Sequence, residues 1–297
     1  MTNAEQSLID RFHSCLRYAR AERWEKPFLD PKRFLSNQLR TRGWTKLKPG
    51  EQRTIETFYL RSFTVVTGEK VSEQIASYGV YEPELTEAFL RLVRPGQTVL
   101  DIGMHLGYYA TLFATLVGSK GSVHAFEPTP STRQLAARNI ALFPQITLHP
   151  EAVWNKNETL TFRDYGIDWM AFNSFTEAKM AGAPAPREFS VQTVTLDSFR
   201  ATLGQRISLI KIDAESAEAQ IIDGASALLK MDQPLLSLEV GDLGHQSAGA
   251  ALIKLLQQQS YEPWEFKRGQ FARHQIAQNY SYDNLIFAPR AADLTSF

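Results

Sequence analysis

The stretch VLDIGMHLGYYA, residues 99–110, decides the fold class of this chain. It starts as a continuous apolar run, which is typical of a buried parallel strand, and then passes through Gly103 and Gly107 into a helical segment. A glycine-containing turn between a strand and a helix is where open α/β sheets bind nucleotides. The turn therefore raises the question of which nucleotide it holds.

Strands and helices alternate on both sides of this turn. The patterns predict core strands at 98–103, 121–128, 146–153, 207–215 and 234–240, separated by helices at 108–118, 129–143, 216–230 and 247–260, with a further helix at 82–93. Two more strands, 159–164 and 189–197, flank a long loop, and segments 261–268 and 282–289 are predicted to end the sheet as an antiparallel pair. This alternation predicts a doubly wound α/β sheet.

Composition bounds the class of protein. The 297 residues fit one large α/β domain, and the formal net charge of +0 favours no nucleic-acid partner. Cys15 is the only cysteine, so neither an intramolecular disulfide nor a cysteine zinc site is available, which fits a reducing cytoplasm. The first twenty residues lack the apolar core of a signal peptide, and no apolar run approaches the length of a membrane span.

The first sixty residues differ from the rest in charge, with twelve Lys or Arg against seven Asp or Glu. Leu8, Phe12 and Leu16 share one face of an amphipathic helix, and later prolines predict short helices and turns. We interpret residues 1–60 as a helical appendage to a domain at 61–297. It would act as a cap or as a dimer contact, and its charge would meet an anionic partner or only solvent.

The turn itself discriminates between ligands. It reads D-x-G-x-x-x-G, with Asp101 where a dinucleotide-binding turn has its first glycine. A carboxylate there repels a pyrophosphate but suits S-adenosylmethionine (SAM), which carries an amino group and a sulfonium. Gly103 would let the backbone approach such a ligand closely. Glu127 ends the next strand, where an acid binds ribose hydroxyls in either ligand.

Four segments together resemble the FkbM family of SAM-dependent methyltransferases: 79–114, 124–142, 191–199 and 209–225. The most specific is KIDAESAE, residues 211–218, where the family usually has K-I-D-x-E-G-x-E. The resemblance implies a class I methyltransferase fold with a seven-stranded Rossmann-like sheet. It also implies methyl transfer from SAM to a hydroxyl group of a small molecule, such as a sugar of a glycan or a natural product.

The expected cofactor-binding residues follow the matched segments. They are Tyr81, Glu82, Asp101, Gly103, Met104, Gly107, Tyr108, Glu127, Pro128 and Ala152. Three departures from the family stand out: Met104-His105 replaces Ala-Asn, Ser216 replaces Gly, and the resemblance does not cover residues 1–60.

Proton transfer needs a base near the acceptor hydroxyl. Asp213, at the end of a predicted strand, is the first candidate, with capping of the next helix as its alternative role. Lys211 points to the same face and would pair with a carboxylate. His105 is the second candidate base, or else a packing residue. Glu215 would help to hold the substrate or a cation.

A divalent metal is the alternative for the same acids, because Asp213, Glu215 and Glu239 offer hard oxygen ligands. The loop 165–188 is long for a compact domain and carries aromatic and apolar side chains suited to a lid. Those residues are Trp169, Met170, Phe172 and Phe175.

Two rival functions remain at this point. An NAD-dependent oxidoreductase would share Glu127 but not Asp101. A non-catalytic module that binds an adenosyl ligand or a partner would account for the departures at Met104, His105 and Ser216.

Overall fold

The computed structural model describes residues 3–44, 48–166, 169–170, 173–175, 184–214, 216–242 and 248–297. Its centre is an eight-stranded sheet in the order β12-β11-β13-β10-β9-β3-β4-β5. The five strands from β10 to β5 are parallel, and β13, β11 and β12 continue the sheet with antiparallel pairing. The described helices include none with the length and apolar character of a membrane span.

The strands of the main sheet are β3 (Thr98–Ile102), β4 (Ser122–Phe126), β5 (Ile146–His149), β9 (Ile207–Ile212), β10 (Leu235–Gly241), β11 (Tyr261–Lys267), β12 (Gln270–Arg273) and β13 (Ser281–Pro289). The remaining strands are β1 (Gln52–Ile55), β2 (Phe63–Val66), β6 (Ala152–Val153), β7 (Thr159–Asp164) and β8 (Arg187–Val194). The helices are α1 (Asn3–Arg20), α2 (Lys26–Leu29), α3 (Pro31–Trp44), α4 (Lys70–Tyr78), α5 (Pro83–Leu92), α6 (Tyr108–Val117), α7 (Pro130–Ile140), α8 (Leu196–Thr202), α9 (Glu218–Asp223), α10 (Ser226–Asp232) and α11 (Ala248–Gln258).

The doubly wound α/β sheet is confirmed, with three differences in detail. The main sheet has eight strands rather than seven, because β12 pairs with β11 at the edge. The strand expected at 146–153 divides into β5 and β6, and β6 joins β7 and β8 in a separate small sheet. The helix expected at 216–230 divides around Gly224, where a Cβ would lie 2.5 Å from the carbonyl oxygen of Trp154.

The N-terminal segment packs against the large domain. Phe12 and Cys15 of α1 are buried in the same apolar core as Phe89 and Phe113. Strands β1 and β2 form an antiparallel hairpin that crosses residue 60. The division of the chain at residue 60 stays a prediction, while the hairpin joins the two sides of that boundary.

The strand order places a crevice at β3. From β3 the chain proceeds to β4 and β5 on one side, and later to β9 and β10 on the other. Ligands of open α/β sheets bind beyond the carboxyl ends of the strands at such a reversal. The turn 103–107 lies there, directly after β3.

Gly103 is required by a backbone contact at this crevice. Its φ of +77° lies in the left-handed region, and a Cβ there would lie 1.8 Å from the carbonyl oxygen of Asp213. The absent side chain therefore makes room for the chain leaving β9. This is a different demand from the close approach of a ligand that the sequence suggested.

Substitution of Gly103 tests this contact against a matched control. Gly96 has a φ of +82°, and a Cβ added there would meet no atom within 4 Å, so Gly96→Ala incurs only the conformational cost of about 1 kcal/mol. Gly103→Ala must also displace backbone, and we expect a loss above ~4 kcal/mol in the free energy of unfolding, measured by urea denaturation. Equal losses in the two variants would contradict the steric explanation.

Candidate active site

A cavity opens at the carboxyl ends of β3, β4, β9 and β10. It is lined by the turn after β3, by the residues that follow β4 and β9, and by parts of α4 and of the loop after β7. The predicted residues that line it are Tyr81, Glu82, Gly103, Met104, His105, Tyr108, Glu127, Pro128, Ala152, Asp213 and Glu239. Asp101 and Gly107 are buried just outside the lining, and Glu215 lies outside the described residues.

Glu127 holds the two strand-end turns together. Its Oε2 accepts a hydrogen bond from the backbone N–H of His105 at 3.1 Å, and its Oε1 accepts one from Thr129 at 2.9 Å. Burial raises its pKa to about 7 against these hydrogen bonds. Each carboxylate oxygen keeps a second lone pair, so both can still accept hydrogen bonds from a ribose diol.

Lys211 lies between two aspartates. Its ammonium is 3.1 Å from Oδ2 of Asp213 and 3.8 Å from Oδ1 of Asp101, its partner in the β3–β9 register. Burial would lower the pKa of Lys211, but Asp213, Asp101 and Glu82 together raise it. The predicted pairing of Lys211 with a carboxylate is therefore present. Asp101 is inaccessible, so it would act on a ligand through its charge rather than by contact.

The cavity is rich in acids. Glu82, Glu127, Asp213 and Glu239 line it, whereas Lys211 is the one Lys or Arg among its described lining residues. Burial, then the charge of Asp213, raises the pKa of Glu239 to about 8. The same two causes raise the pKa of Glu82, which accepts hydrogen bonds from Tyr109 and Asn284. Excess acid that is costly to ionise favours a cationic ligand.

The departures at residues 104 and 105 are accommodated differently. The Met104 side chain is 3% exposed, and its sulfur lies beneath Gly107, where it would be 3.8 Å from a Cβ added to that glycine. His105 has a φ of +53°, and its buried Nε2 makes no hydrogen bond within the part of the chain that the structure describes. Burial lowers the pKa of its ring, so the imidazole is neutral and able to accept a proton.

The third departure has a conformational reading. Ser216 has a φ of +74°, a region in which glycine is unstrained, and this accounts for the glycine that the family usually has at that place. Beyond it, Glu218 begins α9 and accepts a hydrogen bond from the N–H of Ala214 at 3.1 Å. Burial raises its pKa to about 7. Glu218 thus orders the chain immediately after Asp213.

The two tyrosines of α6 serve different surroundings. Tyr108 lines the cavity, accepts a hydrogen bond from the N–H of Tyr81 at 3.2 Å, and packs edge-on against Tyr59. The ring of Tyr109 faces the ammonium of Lys211 at 5.1 Å. A cation–π contact is therefore already made by a protein cation, whereas a contact with a sulfonium stays a prediction.

The loop after β7 covers part of the cavity. Met170 and Phe175 line it, and Phe175 packs against Trp154 with ring centroids 4.7 Å apart. Phe172 and residues 176–183 lie outside the described residues, so the predicted lid is located only in part. Asn173, also in the lining, was missed from the sequence, since an amide in an irregular loop carries no periodic signal.

The metal alternative receives no support. Among the described residues, no three His, Cys, Asp or Glu side chains are arranged to hold an ion. Asp213 is instead paired with Lys211, a cation that already occupies one side of its carboxylate.

The parallel sheet, its reversal at β3 and the acid-lined cavity define a Rossmann-like protein of the class I methyltransferase type. The sequence matches a family model described as the methyltransferase FkbM domain over residues 101–263, more than half of the chain. The chain therefore belongs to the FkbM methyltransferase family, whose members use SAM. SAM-dependent methylation is accordingly the general activity that this membership assigns.

Solved structures with some similarity come from several organisms. A methyltransferase FkbM from Methylobacillus flagellatus is 15% identical with a TM-score of 0.41, over 68% of this chain and 50% of that protein, so this chain spans half its length. Fibrillarin from Aeropyrum pernix, solved with natively bound SAM, is 13% identical with a TM-score of 0.43, over 82% and 99%. A SAM-dependent O-methyltransferase from Thermotoga maritima is 14% identical with a TM-score of 0.42, over 85% and 82%. No curated protein matches the sequence.

The raised pKa values predict how SAM binding depends on pH. Below the pKa values of Glu127 (about 7) and Glu239 (about 8), these carboxyls are protonated and attract a cation less. Affinity for SAM should therefore rise with pH, by roughly threefold to tenfold between pH 6 and 7.5, with release of a proton. Calorimetry in two buffers of different ionisation enthalpy measures both quantities.

S-adenosylhomocysteine, which lacks the sulfonium charge, is the matched ligand for this measurement. It should show a smaller pH dependence and release fewer protons than SAM. An identical pH dependence for the two ligands would show that the acids do not respond to the sulfonium.

Proposed function

We propose that this protein transfers the methyl group of SAM to a hydroxyl oxygen of a small-molecule acceptor, a sugar of a glycan or a natural product. The observation that carries the proposal is the acid-lined cavity at the reversal of the sheet, with Glu127 at its ribose end and Asp213 at the other side of the turn. SAM supplies the electrophilic methyl group, and the other roles belong to this chain.

Cofactor binding is assigned to the two turns joined by Glu127. Its free lone pairs would accept hydrogen bonds from the ribose, while Pro128 and Ala152 provide apolar contact at the same end of the cavity. Asp101 and Glu82 would contribute negative charge near the methionine part. The orphan Nε2 of His105 offers one polar contact that a ligand can complete.

Asp213 is proposed as the group that accepts the hydroxyl proton. Its side chain is 35% exposed, in contrast to the buried Lys211 that holds it at 3.1 Å. Glu239 lies near enough for Asp213 to raise its pKa, so the two carboxyls can keep the transferred proton in the cavity. His105 is the second candidate base. Glu215 is still expected to help hold the acceptor.

Binding is the first test of this proposal. SAM and S-adenosylhomocysteine should bind in the micromolar range, and Glu127→Ala should weaken both by about tenfold to a hundredfold through loss of the charged hydrogen bonds. Calorimetric titration measures the affinities, with NAD as the ligand that should not bind. Glu158→Ala, a substitution outside the cavity, is the control.

A preference for NAD over both adenosyl ligands would overturn the proposal. Binding of SAM without turnover of any acceptor would favour the non-catalytic module.

Catalysis is tested by release of S-adenosylhomocysteine with a panel of sugars and polyols. Asp213→Asn should lower kcat by about a hundredfold to ten-thousandfold, the usual range for loss of a general base, while the affinity for SAM changes little. Asp242→Asn, just beyond the strand that bears Glu239 and outside the cavity lining, is the control. If Glu239→Gln loses more activity than Asp213→Asn, the base is Glu239. Activity only with amine acceptors would contradict O-methylation.

A further inference from the structure

Helix α3 packs with its polar side inward. Arg33 donates to the carbonyl oxygen of Tyr78 at 2.8 Å, and Asn37 donates to that of Ser77 at 2.8 Å, so both bind the C-terminal end of α4. Leu35 and Leu39, one turn apart on the opposite side of the helix, are 59% and 61% exposed. The usual arrangement of an amphipathic helix on a protein is reversed here.

The segment before α3 exposes apolar side chains as well. Trp24 is 70% exposed and Phe28 is 83% exposed, and α2 contributes no buried residue. Of the nine large apolar side chains that are exposed among the described residues, five fall between positions 24 and 39. Single exposed apolar residues are ordinary, but a concentration of this kind marks an interaction surface.

This surface is also basic. From residue 20 to residue 42 the sequence has seven Lys or Arg and three Asp or Glu. Arg23 and Lys32 are exposed beside the apolar residues, while the acid Asp30 is turned to Arg33, with a 3.5 Å contact. We define the α2–α3 surface as the exposed residues Arg23, Trp24, Phe28, Leu29, Lys32, Leu35 and Leu39.

We propose that the α2–α3 surface docks on an anionic lipid membrane, with the apolar side chains in the interface and the basic ones against the headgroups. Tryptophan, phenylalanine and leucine beside Lys and Arg are the composition of interfacial helices. A symmetric second copy of the chain fits less well, because it would set one basic surface against another. The inference is independent of the proposed acceptor and of the catalytic residues.

Co-sedimentation with vesicles tests the proposal on the full chain. Vesicles of phosphatidylcholine with about 30% phosphatidylglycerol should bind the protein, and vesicles of phosphatidylcholine alone should bind it about tenfold more weakly. Leu35→Ser with Leu39→Ser, and separately Arg23→Glu with Lys32→Glu, should each reduce binding to the mixed vesicles about tenfold or more. Raised salt should weaken binding by the wild-type chain.

Two controls separate docking from loss of the fold. Leu142→Ser removes an equally exposed leucine (71%) outside the surface, and should leave vesicle binding unchanged. Unchanged far-ultraviolet circular dichroism and unfolding midpoint in every variant show that the fold is intact. Equal binding to both kinds of vesicle, binding to neither, or a dimer that Leu35→Ser with Leu39→Ser dissociates in sedimentation equilibrium would overturn the proposal.

Discussion

The buried ammonium of Lys211 is the interaction on which the centre of this protein depends. Burial of an isolated charge is costly, and a buried ion is tolerated only when it is paired with good geometry. Lys211 is held by Asp213 on its own strand and by Asp101 across the β3–β9 ladder. Neither oxygen of Asp101 makes a hydrogen bond to another described residue, and its burial raises its pKa to about 6. Without the lysine, this carboxyl would have no partner.

The same pairing leaves the cavity short of positive charge. Lys211 is shared between two aspartates, so Glu82 and Glu239 remain poorly neutralised, and the pKa of each is raised. A cation that enters the cavity would relieve this cost, because its charge stabilises the ionised forms. The site therefore has an electrostatic preference before any ligand is bound. Steric fit comes second and depends on the turn that Gly103 makes narrow.

Local sequence patterns predicted much of the fold but not its long-range contacts. The strand ending at Ile102, the glycine turn and the strand ending in Glu127 follow from period and turn chemistry, and they place the cavity correctly. The pairing of Lys211 with Asp213 follows from their two-residue spacing. In contrast, the contact of Gly103 with the Asp213 carbonyl joins positions 110 residues apart in the chain, and no local pattern records it.

Elements near the chain ends were harder to predict for related reasons. Strands β1 and β12 are four residues each, too short for periodicity to separate them from turns. The reversed orientation of α3 arises because the end of α4 offers carbonyl groups to Arg33 and Asn37. Glu215 was predicted from a family motif, and it lies outside the described residues.

The lone thiol of Cys15 gives this protein a built-in reporter. It is 3% exposed in α1, and Arg33 of α3 donates a hydrogen bond to its sulfur at 3.1 Å. A soluble thiol reagent therefore reaches Cys15 only when the N-terminal helices separate from the core. The labelling rate of the unmodified chain thus measures the opening of that packing directly, and any cysteine introduced on the surface can be labelled selectively in the native protein.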